Sequence, residues 1–175
     1  IGLYAYKDLD TCIHTNSTWI IDAFQLLLKS GCTKIGVVTP ENPIITWHKP
    51  EIITQAEIYS NMSAEYPEIF NPDLFCSTNL SPHDGYVKTC ALLDKIMPGE
   101  KIGLVVTDFL LTHGVISAVL QKQYRMWDNL FLISQTLDGF NLSQFSIPVI
   151  SLPFNNFLTL LRQPIVSLSR HVVFS

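Results

Sequence analysis

A chain of 175 residues, 47% hydrophobic and only 15% charged, suffices for one domain with a full core and is too apolar for disorder. Its formal charge of −4, with no block of Lys or Arg, argues against direct nucleic-acid binding by this segment, because phosphate neutralisation needs clustered cations. No apolar run reaches the roughly 18–20 residues of a membrane span. Cys12, Cys32, Cys76 and Cys90 have neither CxxC spacing nor a nearby His at ligand spacing, so no metal site is expected. They read as reduced core cysteines of a cytoplasmic protein, with disulfide pairing left open by their even number.

Residues 1–6 (IGLYAY) read as a short strand at the start of what looks like a piece of a longer protein. Thr15, Asn16 and Ser17 are cap candidates for a helix over 18–29, whose apolar stripe runs through Trp19, Ile20, Ala23, Phe24, Leu27 and Leu28. Gly31 stands where a helix commonly ends, and residues 34–39 (KIGVVT) follow as a buried strand. Pro40, Pro43 and Pro50 then break the chain into a loop carrying Trp47, which either stacks on a ligand or lids the core.

A helix is expected from Glu51 to about Ala64, closed by Pro67, and a short strand at 74–77. Ser81-Pro82-His83-Asp84 is a helix start, with a serine cap, a proline in the first position and an acid in the first turn. That helix should run to about Ile96 and bury Tyr86, Val87, Cys90, Leu92 and Leu93.

Residues 101–120 (KIGLVVTDFLLTHGVISAVL) organise the rest. The continuous run from Ile102 to Val106 changes to helical spacing at Leu110, Leu111, Val115, Ile116, Val119 and Leu120. Asp108 stands in the turn between the two. It is either a helix cap or a ligand contact, since open α/β sheets bind ligands beyond the carboxyl ends of their strands, and the two roles are compatible. Residues 130–134 (LFLIS) form the next strand, ending in the polar string Gln135-Thr136-Leu137-Asp138-Gly139. A strand at 149–152, a short helix at 155–162 and an edge strand at 171–174 complete the chain. Such alternation specifies an α/β fold, a three-layer parallel sheet with helices on both faces.

Motifs that would activate a nucleophile or cradle a phosphate are missing: there is no GxSxG elbow, P-loop or GxGxxG. Adjacent residues on a helix point about 100° apart, so His83 and Asp84 make a poor acid-base pair. His113 reads as a helix surface residue. What remains are polar and aromatic groups near strand ends, Asn16, Trp47, Asp108, Thr136 and Asp138, suited to hydroxyl-rich ligands that are bound without reacting. No catalytic residue and no cofactor is assigned.

Residues 81–93 (SPHDGYVKTCALL), 106–120 (VTDFLLTHGVISAVL), 125–133 (RMWDNLFLI) and 147–152 (IPVISL) resemble, in order and spacing, the effector-binding domain of LacI/GalR-type bacterial transcription regulators, as do residues 26–38 upstream. The resemblance implies a periplasmic-binding-protein-like fold of type I, mostly its second subdomain. Residues 1–15 would be a trailing part of the first subdomain, 16–152 the second and 153–175 a tail, with the helix-turn-helix DNA-binding domain before Ile1. It further implies a small-molecule effector, a homodimer, and operator DNA contacted through a domain outside this chain. Asp108 matches the family's acid after the central strand, Leu80 falls where members place a stacking aromatic, and Asn16 stands near the acid or amide before the first helix. Ser134-Gln135-Thr136 occupies the place of the family's Gly-aromatic-Asp string, and Asp138 matches that acid after a two-residue slip. No Arg lies between Pro40 and Leu80, where the family's sugar-holding Arg is expected.

Two other functions share these features. A periplasmic sugar-binding protein of the same fold would carry a signal peptide and no helix-turn-helix. An enzyme on a flavodoxin-like sheet would use Asp108 as a general base, with a pKa raised by burial.

Overall fold

The computed structural model describes residues 19–41, 55–137 and 149–152. In chain order the elements are α1 (Trp19–Lys29), β1 (Lys34–Pro40), α2 (Gln55–Glu65), β2 (Phe75–Thr78), α3 (Pro82–Leu93), β3 (Ile102–Val106), α4 (Phe109–Gln121), β4 (Leu130–Leu137) and β5 (Val149–Leu152), with a single 3-10 turn, Pro72–Leu74, ahead of β2. The strands form one five-stranded sheet in the order β2-β1-β3-β4-β5. Each pairing is parallel, with Val37 level with Val105 and Val105 level with Ile133.

The expected α/β architecture is present. The central strand β3 is buried at every position, as its unbroken apolar run requires of a strand covered on both faces. On one face α1 and α2 enclose Phe24, Ile35, Val37, Tyr59, Val105 and Ile133. On the other, α3 and α4 enclose Val38, Leu92, Leu104, Val106, Leu111 and Leu132. Phe24 meets Phe70 edge to face at 5.2 Å, a geometry that adds to what area burial contributes. Gly31, at φ +78°, ends α1 in the left-handed conformation that a side chain resists.

Several boundaries differ from the sequence reading. α3 stops at Leu93, and its buried positions are Gly85, Thr89, Leu92 and Leu93, while Val87 is exposed. The reason is its packing on α4: a Cβ at Gly114 would stand 1.8 Å from the Pro82 carbonyl oxygen, and one at Gly85 3.0 Å from that of Leu111. The helices meet backbone to backbone through their small residues, which turns Val87 outward. On α4, Leu120 is exposed. β4 continues three residues beyond the expected Ser134, because Gln135, Thr136 and Leu137 pair with β5. The readings at 1–6, 155–162 and 171–174 lie outside the described residues, as do the first residues expected of the helix from Glu51.

Candidate functional site

The strand order sets a topological switch between β1 and β3. β1 leads to α2 on one face of the sheet and β3 leads to α4 on the other, and crevices for ligands form beyond the carboxyl ends of strands at such a point. Thr39, Thr107 and Asp108 stand there.

Asp108 is extended, with φ −144° and ψ 137°, and its Oδ1 accepts a hydrogen bond of 2.8 Å from the Leu110 amide. It is therefore the N-cap of α4, satisfying an amide the helix cannot pair internally. The Thr112 hydroxyl donates back to the Asp108 carbonyl at 3.2 Å, which fixes the turn from both sides. Burial pushes the half-buried carboxyl above its ordinary value of 3.8, and the Leu110 amide draws it partly back.

Behind it lies a row of hydroxyls and amides. Thr107 Oγ1 donates to Thr39 Oγ1 at 2.7 Å, and Thr39 Oγ1 donates to Gln55 Oε1 at 3.4 Å, an oxygen that also receives the Tyr59 hydroxyl at 3.3 Å. Thr78 Oγ1 donates to the Thr39 carbonyl at 3.0 Å, and the Thr107 amide to that of Val38 at 3.1 Å, so the ends of β2, β1 and β3 are tied together. Gln135, one strand further on, is 4% exposed, and its Oε1 has no hydrogen-bond partner among the described residues. None of Thr39, Gln55, Thr107 and Gln135 was singled out as a site residue from the sequence. A polar residue closing an apolar run, as Thr39 closes KIGVVT, was the available signal.

Of the expected site residues, Asp108 is at the switch point. Leu80 lies in the turn between β2 and α3 and is 47% exposed, two residues after Thr78. Thr136 is in β4, level with Ser151. Asn16, Trp47 and Asp138 lie outside the described residues.

The structure also has an open cavity of about 320 Å³, lined by Lys34, Asp73, Lys95 and Glu100 among others. It is at the amino-terminal edge of the sheet, away from the switch point; within it Lys34 lies 3.7 Å from Glu100, and Lys95 Nζ donates to the Asp73 backbone carbonyl at 2.7 Å. Cys32, Cys76 and Cys90 are free thiols, Cys32 buried and the other two partly so. Among the described residues no group of His, Cys, Asp or Glu could hold a metal ion, and no helix is long and apolar enough to cross a membrane.

No protein-family model and no curated protein matches the chain in sequence. Solved structures do match in fold. A sugar-binding transcriptional regulator of the LacI family from Escherichia coli, solved with phosphate, superimposes with a TM-score of 0.62 at 16% identity, over 89% of this chain and 54% of that one. A LacI-family regulatory protein from Chloroflexus aggregans gives 0.63 at 13% identity, over 86% and 53%. A LacI-family regulator from Arthrobacter sp. FB24 in complex with lactose gives 0.58 at 15% identity, over 78% and 49%. The chain spans about half the length of these proteins. It has the periplasmic-binding-protein-like α/β fold of the solved LacI-family regulators.

Proposed function

We propose that the chain is the ligand-sensing domain of a LacI/GalR-like cytoplasmic transcription regulator, with residues 16–152 as the second of two subdomains, 1–15 as a trailing part of the first and 153–175 as a tail. A small-molecule effector, a sugar or related metabolite, enters the crevice beside Asp108 and is bound without being transformed. The whole protein is a homodimer that contacts operator DNA through a separate helix-turn-helix. The observation that most supports this reading is a half-buried carboxyl at the switch point of a parallel sheet, in a fold shared with regulators of which one was solved with lactose.

Binding rather than turnover is favoured by what surrounds Asp108. Its raised carboxyl is one thing a general base would need, yet Oδ1 is held by the Leu110 amide and the adjoining groups are hydroxyls and amides. The effector would act by preferring one arrangement of the two subdomains, altering operator affinity by the size of that preference.

The experiment is a thermal-shift screen of the chain against sugars, sugar phosphates and purines, because a ligand that binds the native state raises its melting temperature. Asp108→Asn preserves the cap and removes the charge, so it should fold normally and lose the response. A ligand bound with unchanged affinity by Asp108→Asn would remove Asp108 from the site. No response to any compound would defeat the sensing role.

A further inference from the structure

We infer that the open cavity at the amino-terminal edge of the sheet binds the zwitterion of an α-amino acid with an aliphatic side chain, its carboxylate on Lys95 and its ammonium group on Asp73. The site is separate from the crevice beside Asp108. β1 runs seven residues from Lys34 to Pro40, roughly 20 Å at the rise of a strand, and the cavity and the crevice lie at its opposite ends. Binding here is independent of the effector proposed above.

The lining carries two cations and two acids, of which one of each sign is paired. Lys34 Nζ lies 3.7 Å from Glu100 Oε1 and donates to the Glu68 carbonyl at 2.9 Å, while Glu100 Oε2 accepts from the Met97 amide at 2.8 Å. Lys95 Nζ donates instead to the backbone carbonyl of Asp73 at 2.7 Å, and the carboxylate of that residue forms no ion pair among the described residues. An ammonium group has three hydrogens, so Lys95 keeps donors for a ligand carboxylate, and Asp73 keeps acceptors for a ligand ammonium group beside it. A simple anion would be repelled by Asp73 and a simple cation by Lys95. A ligand with both signs on one carbon suits both.

Shape supplies the aliphatic part. A volume of about 320 Å³ is at the small end of metabolite pockets, which run from about 300 Å³ upward. The apolar lining is Leu74, which is buried, Ile96, half-buried, and Met97, 67% exposed, whose flexible thioether adapts to an apolar body. Both walls are already fixed. The turn before β2 is closed by the Asp73 amide on Asn71 Oδ1 and the Leu74 amide on the Asn71 carbonyl, each at 2.9 Å. The turn after α3 is closed by the Met97 amide on Glu100 Oε2 and the Glu100 amide on the Met97 carbonyl at 3.1 Å. A site ordered in advance spends little of its binding energy on ordering itself.

The test is isothermal titration calorimetry of the chain with L-leucine, L-methionine, glycine, 4-methylpentanoate and inorganic phosphate. 4-Methylpentanoate is leucine without its ammonium group, and glycine is the zwitterion without a side chain. L-Leucine or L-methionine should bind, with each of the other three weaker by about tenfold or more, the loss expected when one charge-assisted contact or the apolar contact is missing. Lys95→Met and Asp73→Asn alter exposed side chains, and the second leaves the Asp73 carbonyl to Lys95. Both should melt with the wild type and bind the amino acid about tenfold more weakly. Asp108→Asn should bind it unchanged. No binding of either amino acid, 4-methylpentanoate or phosphate bound as tightly as leucine, unchanged affinity in Lys95→Met or Asp73→Asn, or weakened affinity in Asp108→Asn would each overturn the inference, and none of them touches the sensing role.

Discussion

Thr107 Oγ1 donates to Thr39 Oγ1 across 2.7 Å, joining the carboxyl ends of β3 and β1 where the order of strand addition reverses. Both residues are buried, so water cannot replace either partner. Thr39→Val keeps the shape of the side chain but strands the Thr107 hydroxyl and takes a donor from Gln55. A loss of about 1–3 kcal/mol is expected in urea unfolding. The double variant Thr39→Val/Thr107→Val should lose less than the sum of the single variants, since removing both partners leaves fewer orphans. Additive losses would show that the bond contributes nothing.

Asp108 gives the stability profile a defined sign. Its carboxyl is raised in the folded state above 3.8, so between that value and its folded pKa the folded chain holds more protons than the unfolded one. The stability linked to this proton is fully present below 3.8 and is lost as pH rises through the folded value. Asp108→Asn should cap α4 equally well and lack this decline. Melting curves of both proteins across the mildly acid range check it, and parallel profiles would contradict the burial of the carboxyl.

Gly114→Ala opposes two effects of known size. Alanine is favoured over glycine in a helix interior by about 1 kcal/mol. Its methyl group would, however, lie 1.8 Å from the Pro82 carbonyl oxygen and 2.7 Å from the Tyr86 nitrogen, both backbone atoms that cannot rotate away. Overpacking costs about 1–3 kcal/mol and more where backbone must move, so the clash should win. The variant is expected to melt well below the wild type, or not to fold. A stabilised variant would mean that α3 and α4 can separate freely.

Cys32 should be inert in the native protein. Burial pushes its thiol up to about 11, with a smaller opposing effect from Lys101, leaving almost no thiolate at pH 8. Alkylation with iodoacetamide followed by peptide mass spectrometry should find Cys32 modified only after unfolding. Rapid modification of the native chain would contradict its burial.

The parts of the fold that were legible in the sequence are those written in local chemistry. IGLVV reads as a buried strand because nothing polar interrupts it, and Ser81 and Asp108 read as helix starts because each cap bonds within its own first turn. The Thr39–Thr107 pair obeys no spacing rule, since 68 residues separate its members and only the register of β1 with β3 brings them together. In the sequence Gln135 belongs to a polar string after its strand, and only pairing with β5 makes it a strand residue. Helical periodicity alone places Val87 inward. Gly85 and Thr89, smaller and less apolar, face α4 instead, because close approach of two backbones favours small residues.

The contact at Gly114 also has a mechanical side. Where side chains interdigitate, one helix can slide on another as rotamers hop. Main chain resting on main chain offers no such give, so α3 and α4 behave as one stiff plate. A force that tips the amino end of α4, where Asp108 accepts from the Leu110 amide, is passed to α3 at the place where the two main chains touch.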